Sequence, residues 1–340
     1  MLTIKVPFRD AEKVKTELMK KKIFDNRYSF SKDKSNIYFP IKKKVDLGYD
    51  IVEKDLAEYK DKKTFKDVLS ELLSDDELSL VKTAFDSVGE IAILEIDEDL
   101  RKKEKKIAQA LLDTNPNITT VLRKEGSHGG TFRTQKMKYL AGEKTKIAHH
   151  KENGVTLSFN VEEVYFSVRL STERKRISKL VKKGENVLVM FCGAAPYPCV
   201  LGKNTEANSI YGIELNPKGH KFGLGNVKQN KLTNVTLING DANKAEEELA
   251  KVGFTDKFDR ILMPLPKSAE EFLDSALKVA KKNTIIHFYD FLHVNNFHEA
   301  HEKIDKACKS AGLKYKIIHT IKCGQHSPKV YRICVDFKIL

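Results

Sequence analysis

The chain has 340 residues, of which 41% are hydrophobic and 32% are charged, and its formal net charge is +14 at pH 7. This composition predicts a soluble, globular protein of two or three domains. It excludes a membrane-spanning protein, because no run of about 18 apolar residues occurs. The positive charge predicts a polyanionic partner, with nucleic acid first, although a lysine-rich proteome would give the same excess.

The cysteines and the N-terminal residues indicate the cellular compartment of the protein. The five cysteines include no C-x-x-C pair, and their odd number and wide spacing predict neither a metal site nor a disulfide framework. A reducing cytoplasm is therefore the expected location. No signal peptide is expected either, because the opening residues MLTIKVPFRD lack the apolar core of one.

Residues 1–60 are predicted to form a small α+β domain. A strand is predicted at LTIKVP, a helix at DAEKVKTELMKKK with Asp10 as its N-cap residue, and a hairpin at YSFSKDKSNIYFPI with its turn near Lys34 and Ser35. The charged stretch EYKDKKTF follows as a predicted linker.

Residues 65–165 are predicted to form a second α+β domain. Strands are predicted at EIAILEI and ITTVLRKE, with a helix between them at EDLRKKEKKIAQALLDTN. From Arg123 to Lys151, eight basic and two acidic residues surround Phe132 and Tyr139. This mixture is typical of a nucleic-acid surface, and a solvated loop is the equal alternative. A hairpin turn is predicted at Asn153-Gly154.

Residues 166–340 alternate between apolar strands and helices. Strands are predicted at NVLVMF, SIYGIEL, NVTLIN, FDRILMP, NTIIHFYDF, KYKIIHT and VYRICVDFKI, and helices include SAEEFLDSALKVAKK and NNFHEAHEKIDKACKSAG. This alternation predicts an α/β domain with a parallel sheet covered on both faces. The last two strands have no helix between them, so we expect an antiparallel hairpin at one edge.

Ligands of such a sheet bind at the carboxyl ends of its strands. Glu214 closes the second strand about 20 residues past the first loop, where an acid can accept both ribose hydroxyls of an adenosine ligand. Asp241 closes the third strand and suits an adenine amino group. A surface acid and a plain helix N-cap are the respective alternatives. Together the two acids favour an adenosine-containing ligand.

The loop after the first strand, MFCGAAPYP, limits which adenosine ligand fits. Gly193 is its single glycine, and Ala194, Ala195 and Pro196 stand where a dinucleotide-binding loop has glycines. The loop therefore predicts a ligand without phosphate, such as S-adenosylmethionine. Upstream, Glu173 and Arg174 precede a basic amphipathic helix, where they are either a salt-bridged helix start or a general base with an orienting cation.

Several segments together resemble the archaeal and eukaryotic tRNA (guanine-37, N1)-methyltransferases: HKENGVTLSFNVEEVYFSVRLSTERKRI, VMFCGAAPY, YGIELNP, GDANKAEEE, MPLPKSAEEFLDSAL and IIHFYDF. The resemblance implies a class I (Rossmann-like) methyltransferase domain at 166–340 behind the two smaller α+β domains. It also implies S-adenosylmethionine as cofactor and tRNA as substrate. The anticodon loop would meet the methyltransferase domain, the outer corner of the tRNA would meet residues 1–60, and the protein would be a monomer.

The resemblance also assigns residues. Glu173 is the implied general base for the guanine N1 proton, Arg174 holds that carboxylate and the cofactor, and Arg133 is a further catalytic residue. Glu214 and Asp241 bind ribose and adenine. The remaining implied cofactor contacts are Phe191, Gly193, Leu215, Ala242, Pro264 and Pro266. Four aromatic residues are candidates for stacking on an extruded base, or for the core: Phe132, Tyr139, Tyr165 and Tyr197.

Departures from the family pattern cluster around the methyl acceptor, at Gln135, Val189, Ala195 and Pro264. Gln135 stands where many members have an arginine, and could donate to guanine O6 but supplies no charge. One archaeal subgroup also methylates C7 of the tricyclic wyosine precursor, and the departures suggest membership in it. The alternatives are an aminocarboxypropyl transferase of the wyosine pathway and an inactive tRNA-binding homologue.

Overall fold

The structure is a computed structural model that describes residues 1–58 and 63–340, without the side chains of residues 127 and 128. The predicted linker EYKDKKTF thus lies partly outside the described residues. The chain divides into two compact units, Met1–Glu71 and Leu72–Leu340. In the described ranges, no helix has both the length and the apolar character needed to cross a membrane.

The first unit is a four-stranded sheet backed by one helix. Its strand order is β2-β3-β1-β4. The elements are β1 (Leu2–Pro7), α1 (Ala11–Lys20), β2 (Ser31–Lys32), β3 (Asn36–Pro40) and β4 (Ile51–Glu53). The predicted hairpin is confirmed, because β2 and β3 pair antiparallel on either side of residues 33–35. Asp10 does occupy the N-cap position of α1, but its side chain makes no capping hydrogen bond.

The second unit begins with a smaller sheet of order β5-β6-β7-β8 and a separate hairpin, β9-β10. A helix of the first unit, α2 (Phe65–Leu72), ends at the boundary between the two units. The elements of this part of the second unit are α3 (Asp75–Leu80), β5 (Asp86–Val88), β6 (Ile91–Leu94), α4 (Glu104–Thr114), β7 (Thr120–Gly129), β8 (Thr134–Gly142), β9 (Ile147–Glu152) and β10 (Val155–Asn160). The turn predicted at Asn153-Gly154 is confirmed, with φ of +44° and +79°.

The basic segment from Arg123 to Lys151 is largely sheet, so the alternative of a solvated loop is wrong, and binding of nucleic acid by this segment stays a prediction. It forms parts of β7, β8 and β9. Several of its cations also have partners within the unit: Arg123 contacts Glu104 at 2.9 Å, and Lys124 contacts Asp86 at 2.9 Å. These two cations hold the small sheet together.

The remainder is a seven-stranded sheet of order β13-β12-β11-β14-β15-β17-β16. Its strands are β11 (Asn186–Met190), β12 (Ser209–Glu214), β13 (Val235–Asn239), β14 (Phe258–Met263), β15 (Ala280–His293), β16 (Tyr315–Ser327) and β17 (Val330–Ile339). β11 to β15 run parallel, and β17 and β16 form the antiparallel edge. The predicted parallel sheet with an antiparallel hairpin is confirmed.

Helices cover both faces of this sheet. They are α5 (Ser171–Leu180), α6 (Pro196–Asn204), α7 (Pro217–Gln229), α8 (Ala245–Lys251), α9 (Leu273–Lys278) and α10 (His298–Ser310). Alternate residues of β11 enter opposite cores, Val187 and Val189 on one side and Leu188 and Met190 on the other. Such two-sided burial explains why the strands read as continuous apolar runs.

The helix predicted at SAEEFLDSALKVAKK is shorter than expected. A 3-10 turn (Ala269–Phe272) and α9 occupy its first part, and β15 begins at Ala280. Ala280 pairs with Phe258 of β14, and the Thr284 hydroxyl donates to the Phe258 carbonyl at 2.6 Å. Sheet pairing therefore overrides the helical spacing of these residues.

Candidate active site

The loop after β11 has the tight backbone that a small-residue turn requires. Phe191, Gly193 and Ala195 have φ of +58°, +58° and +62°. Glycine adopts this region freely, whereas other residues are held there at about 1–2 kcal/mol each. Phe191 is fixed by packing edge-on against Phe272, with 4.6 Å between ring centroids. Ala195 is fully buried at the start of α6. This turn is therefore a rigid feature of the strand end.

Glu214 lies at the end of β12 with its carboxylate turned toward that loop. Oε2 accepts from the Gly193 amide at 2.6 Å, and Oε1 accepts from the Asn216 amide at 2.8 Å. Burial raises the pKa of Glu214, and the two backbone hydrogen bonds oppose that rise. Gly219 leaves room for this arrangement, because a Cβ there would lie 3.2 Å from Glu214 Cγ. The Glu214 carboxylate is thus held beside the loop, and each of its oxygens keeps a lone pair that can accept from a ligand hydroxyl.

Asp241, at the end of β13, caps the 3-10 turn Ala242–Lys244. Its Oδ1 accepts from the Asn243 amide at 2.9 Å, which is the capping alternative that the sequence left open. Asn239 ties the two strand ends together by donating to the carbonyl oxygens of Glu214 at 2.7 Å and Leu215 at 3.2 Å. Ligand contacts of Asp241, Leu215 and Ala242 stay predictions.

Arg133 reaches the loop after β14 from a position far away in the sequence. Its guanidinium donates to the Pro266 carbonyl at 2.7 Å and to the Ser268 hydroxyl at 3.1 Å. Pro264, directly after β14, offers no backbone donor. The structure therefore brings Arg133 and Pro266 together, as expected for residues of one site.

Glu173 is held by Arg176 and Tyr289. Arg176 binds both carboxylate oxygens, at 2.7 Å and 2.8 Å, and the Tyr289 hydroxyl donates to Oε1 at 2.6 Å. Tyr197, predicted as a possible stacking residue, is buried and donates to the Tyr289 hydroxyl at 3.2 Å. The side chain of Glu173 is 4% exposed, so its orientation is fixed.

The prediction that Arg174 holds the Glu173 carboxylate is wrong. Arg174 is buried and binds Glu152, from Nε at 2.5 Å and from Nη2 at 2.6 Å. Neighbouring residues on a helix point about 100° apart, whereas positions three apart share a face, so Arg176 is the helical neighbour of Glu173. A contact of Arg174 with the cofactor stays a prediction.

Behind Arg176 lies a chain of buried polar side chains that the sequence analysis missed. Arg176 donates to Asp336 at 2.7 Å, His287 contacts Asp336 at 2.6 Å, and Arg260 contacts His287 at 2.8 Å. Arg260 then pairs with Glu185 at 2.7 Å. The available signal was the presence of His287 and Asp336 next to apolar residues of strands, since buried charges need partners. Their separation in sequence hid which partners those were.

Cys334 completes this cluster. Its sulfur lies 3.2 Å from Asp336, and His287, Cys334 and Asp336 each place one potential metal ligand within 4.8 Å of the others. The guanidinium group of Arg176 contacts Asp336 and Cys334, and that of Arg260 contacts His287, so positive charges face all three groups and disfavour a cation there. The cluster is a hydrogen-bonded network.

A cavity of about 520 Å³ lies between the smaller sheet and the seven-stranded sheet of the second unit. Its walls include Gln135, Tyr165, Pro266, Phe291 and Arg332. The loop glycine and the two strand-end acids do not line it, whereas Pro266, a predicted cofactor contact, does, so the cavity adjoins the predicted cofactor site at the loop after β14. Of the four aromatic candidates, only Tyr165 is among its lining residues.

Two buried polar atoms in the cavity wall have no hydrogen-bond partner among the residues that the structure describes. They are Oε1 of Gln135 and Nε of Arg332, and both residues are more than nine-tenths buried. The amide nitrogen of Gln135 donates to the Gly126 carbonyl at 2.6 Å, so Gln135 presents an acceptor rather than the donor expected from the sequence. An unpartnered buried polar group is costly, and a polar ligand would satisfy it.

An aromatic platform forms another part of the wall. The rings of Phe291 and His326 lie 4.3 Å apart at an angle of 33°, and the guanidinium carbon of Arg332 lies 4.9 Å from the Phe291 ring centre. Burial, assisted by Lys267 and Arg332, lowers the pKa of His326. A neutral imidazole of this kind suits stacking against a planar ligand.

All five cysteines are free, and four are buried. Burial raises the pKa of Cys192 and Cys334 well above the usual range, and that of Cys199 to about 12. Cys323, on β16, is the partly exposed one.

Comparison with known proteins gives these features a context. Residues 148–318 match the TRM5/TYW2 methyltransferase domain, residues 65–145 the TYW2 N-terminal domain, and residues 3–49 the tRNA methyltransferase 5 N-terminal domain. The chain belongs to the TRM5/TYW2 methyltransferase family. It is therefore an enzyme of the methyltransferase class, and the resemblance and the α/β fold class predicted from the sequence are confirmed.

Individual family members resemble it over most of their length. Trm5b of Pyrococcus abyssi, a tRNA (guanine(37)-N(1))-methyltransferase, is 32% identical over 340 residues, covering 99% of each chain. Taw22 of Nanoarchaeum equitans, a tRNA (guanine(37)-N(1))/4-demethylwyosine(37)-methyltransferase, is 31% identical over 76% of this chain and 100% of its own. A solved complex of aTrm5 with tRNALeu superimposes with a TM-score of 0.72 at 27% identity, covering 100% of both chains.

Proposed function

We propose that this chain is an S-adenosylmethionine-dependent methyltransferase acting on tRNA at position 37, next to the anticodon. The observation that carries the proposal is the common face of β15 and β17. Tyr289 and Phe291 pair across these strands with Cys334 and Arg332, so the groups around Glu173 and the cavity wall lie on one face of the sheet. A fixed carboxylate on the same sheet face as a ligand-sized cavity favours removal of a substrate proton by a general base.

The residues of the β11 loop fit S-adenosylmethionine. Glu214 is held by backbone amides with lone pairs left for ribose hydroxyls, and Gly219 leaves room beside it. The cofactor supplies an electrophilic methyl group when bound. Phe191, Gly193 and Glu214 fix the loop side of its site, and Leu215, Asp241, Ala242, Pro264, Pro266 and Arg174 are its further proposed contacts.

Glu173 is the proposed general base. S-adenosylmethionine, when bound, would supply the methyl group and leave as its neutral thioether. The Glu173 carboxylate would take the N1–H proton of the guanine, and the N–H electron pair would stay on the ring. Arg133 acts by holding the loop at Pro266, and we propose that it thereby shapes the acceptor side of the site. Orientation supplies the remaining rate acceleration.

The cavity is the proposed site of the extruded nucleobase. The unpartnered oxygen of Gln135 accepts from a base N–H, the Arg332 Nε–H donates to a base oxygen or nitrogen, and His326 offers a ring for stacking. Such a site would recognise a purine by stacking against its ring and by hydrogen bonds to its edge.

The tricyclic wyosine precursor is the second candidate acceptor. Two observations favour it: the similarity to Taw22, and the presence of Gln135 as an acceptor where many family members have an arginine. An acceptor carbon is itself nucleophilic within the ring, so its methylation depends less on Glu173 than N1 methylation does.

The domain organisation completes the proposal. Residues 1–60 contact the outer corner of tRNA, residues 65–165 form a basic middle domain, and residues 166–340 hold the cofactor and the anticodon loop. The monomer is the proposed functional form. The buried, free cysteines support a reducing, cytoplasmic location.

Nucleoside mass spectrometry tests the function directly. The protein and S-adenosylmethionine are incubated with two tRNAPhe substrates, one with unmodified guanine at position 37 and one with the demethylated wyosine precursor. Methylation of the guanine alone identifies an N1 enzyme, and methylation of both identifies a bifunctional one. A mass increment larger than a methyl group would instead indicate aminocarboxypropyl transfer. No increment on either substrate, with cofactor bound, would indicate a tRNA-binding homologue and refute the proposal.

A further inference from the structure

The guanidinium group of Arg176 forms ion pairs with two buried carboxylates. It binds both oxygens of Glu173 and both oxygens of Asp336, the latter at 2.7 Å and 3.3 Å. The side chains of Glu173 and Asp336 are 4% and 3% exposed, and that of Arg176 is 23% exposed. Two negative charges therefore share one positive charge in a site with little water to screen them.

His287 adds no charge to this group. A guanidinium only donates hydrogen bonds, so the 2.8 Å contact from Arg260 makes His287 Nε2 an acceptor. The ring proton is then on Nδ1, which donates to Asp336 at 2.6 Å. This assigns a neutral imidazole, in agreement with burial lowering the pKa of His287. Although burial opposes ionisation, the hydrogen bonds from His287 and Arg176 hold the pKa of Asp336 well below its usual range.

The other groups that face Glu173 are uncharged. They come from three elements, α6, β15 and β17, and burial raises the pKa of each: Tyr197, Tyr289 and Cys334. Arg174, the next residue of α5, is paired with Glu152. The charge that Glu173 experiences is thus set by Arg176 and Asp336.

The hydrogen bonds also distinguish the two oxygens of Glu173. Within the described part of the chain, Oε1 accepts from Arg176 and from Tyr289, whereas Oε2 accepts only from Arg176 Nε. A carboxylate oxygen accepts about two hydrogen bonds. Oε2 therefore has the open position for a proton.

We propose that Asp336 is a positioning residue whose negative charge keeps Arg176 paired when Glu173 takes up the substrate proton at Oε2. This inference rests on the proposed function, in which Glu173 is the general base. Before transfer, Arg176 is shared between two carboxylates. After transfer, Glu173 is neutral and Arg176 remains paired with Asp336. Without Asp336, the same transfer would leave a guanidinium without a counter-charge, which disfavours protonation of Glu173.

The test compares the pH dependence of kcat in Asp336→Asn and wild type, at saturating tRNA. In Asp336→Asn we expect the acidic limb of the profile to move about one pH unit lower, which corresponds to a tenfold lower proton affinity of Glu173. We also expect kcat at the plateau to be about tenfold lower. The KM for tRNA should change by less than about twofold, and Asp336→Glu should restore most of kcat. An unmoved acidic limb in a folded Asp336→Asn protein would overturn the proposal, because a purely structural role lowers kcat without moving the limb.

Arg176→Gln gives a test of opposite sign, which also serves if Asp336→Asn does not fold. Removal of the cation leaves two facing carboxylates, so the acidic limb should move to higher pH. A limb that stays in place or moves lower would contradict the proposal. Glu185→Gln is the matched control: it removes a carboxylate at the far end of the same chain of side chains, where Arg260 separates it from His287. It should leave the limb in place.

A measurement without tRNA separates this inference from the proposed function. The carboxyl band of Glu173 is followed by infrared difference spectroscopy during acid titration and assigned by its loss in Glu173→Gln. Asp336→Asn should shift the titration of this band to lower pH whether or not the protein methylates tRNA. An unshifted band overturns the inference, whereas an inactive wild type with a shifted band overturns only the proposed function.

Discussion

The two halves of the site are built in different ways. On the cofactor side, Gly193 and Glu214 come from successive strand ends and are joined by a backbone hydrogen bond. On the acceptor side, Glu173 depends on side chains from strands 116 and 163 positions away, Tyr289 and Asp336. We therefore expect the proposed cofactor side to tolerate substitutions that keep the backbone, and the proposed acceptor side to depend on the identity of individual side chains. Substitutions on the acceptor side should therefore have the larger effects on rate.

The largest expected effect is that of Glu173→Gln. This substitution keeps the shape of the side chain but removes the base, so kcat should fall about 10²- to 10⁴-fold, while the Kd for S-adenosylmethionine measured by calorimetry stays within about twofold. Glu206→Gln is the control, since Glu206 is an exposed acid with a surface partner, Lys183. A kcat within about threefold of wild type would contradict the base role.

Glu214→Gln tests the cofactor side and should act on binding rather than on chemistry. Loss of the charged acceptor should weaken S-adenosylmethionine binding about 10- to 100-fold, as removal of hydrogen bonds to a charged group does. Asp241→Asn is the companion variant. Because asparagine caps a helix as well as aspartate, it should weaken binding by only about threefold. Equal effects of the two variants in calorimetry would contradict this prediction, because they would show that cofactor binding depends on the charge of Asp241 as much as on that of Glu214.

Gln135→Met sharpens the comparison within the acceptor side. The cavity loses its unpartnered oxygen, so kcat/KM for tRNA should fall about tenfold with cofactor affinity unchanged. Both quantities are measured on protein whose melting temperature has been checked. If kcat/KM is unaffected with both tRNA substrates, Gln135 does not read the base.

The smallest effect concerns stability and involves His287. Its pKa lies below the usual value near 6.5, so the folded state binds fewer protons than the unfolded state as the pH falls. The free energy of unfolding should therefore decrease below about pH 6.5, by up to about 1.4 kcal/mol per pH unit. Urea unfolding at pH 7.5 and 5.5 should show a smaller loss in His287→Gln than in wild type. The same loss in both proteins would place the responsible group elsewhere.

The sequence predicted what local patterns encode. The seven apolar strands, their parallel arrangement and the acids at the ends of β12 and β13 follow from alternation and spacing over a few residues. The length of α9 could not be predicted, because the pairing of Ala280 with Phe258 competes with helical periodicity. The choice of Arg176 over Arg174 was accessible from helix geometry alone, since only Arg176 shares a face with Glu173.

The network behind Glu173 was beyond local patterns. His287 and Asp336 are buried polar residues of β15 and β17, and their role depends on the register that places them opposite each other. The same register brings Phe291 opposite Arg332 in the cavity wall. These contacts are set by the pairing of strands that are far apart in the sequence, and this pairing cannot be predicted from a single sequence.

The distribution of thiols has a practical consequence for labelling. The thiolate is the reactive form, so burial and the raised pKa values protect Cys192, Cys199 and Cys334 from alkylating reagents. Cys323 is the accessible exception, and it precedes Gly324 and Gln325, which line the cavity. A single maleimide fluorophore can thus be attached to the natural chain beside the proposed nucleobase site. Its emission would report arrival and departure of the base in real time.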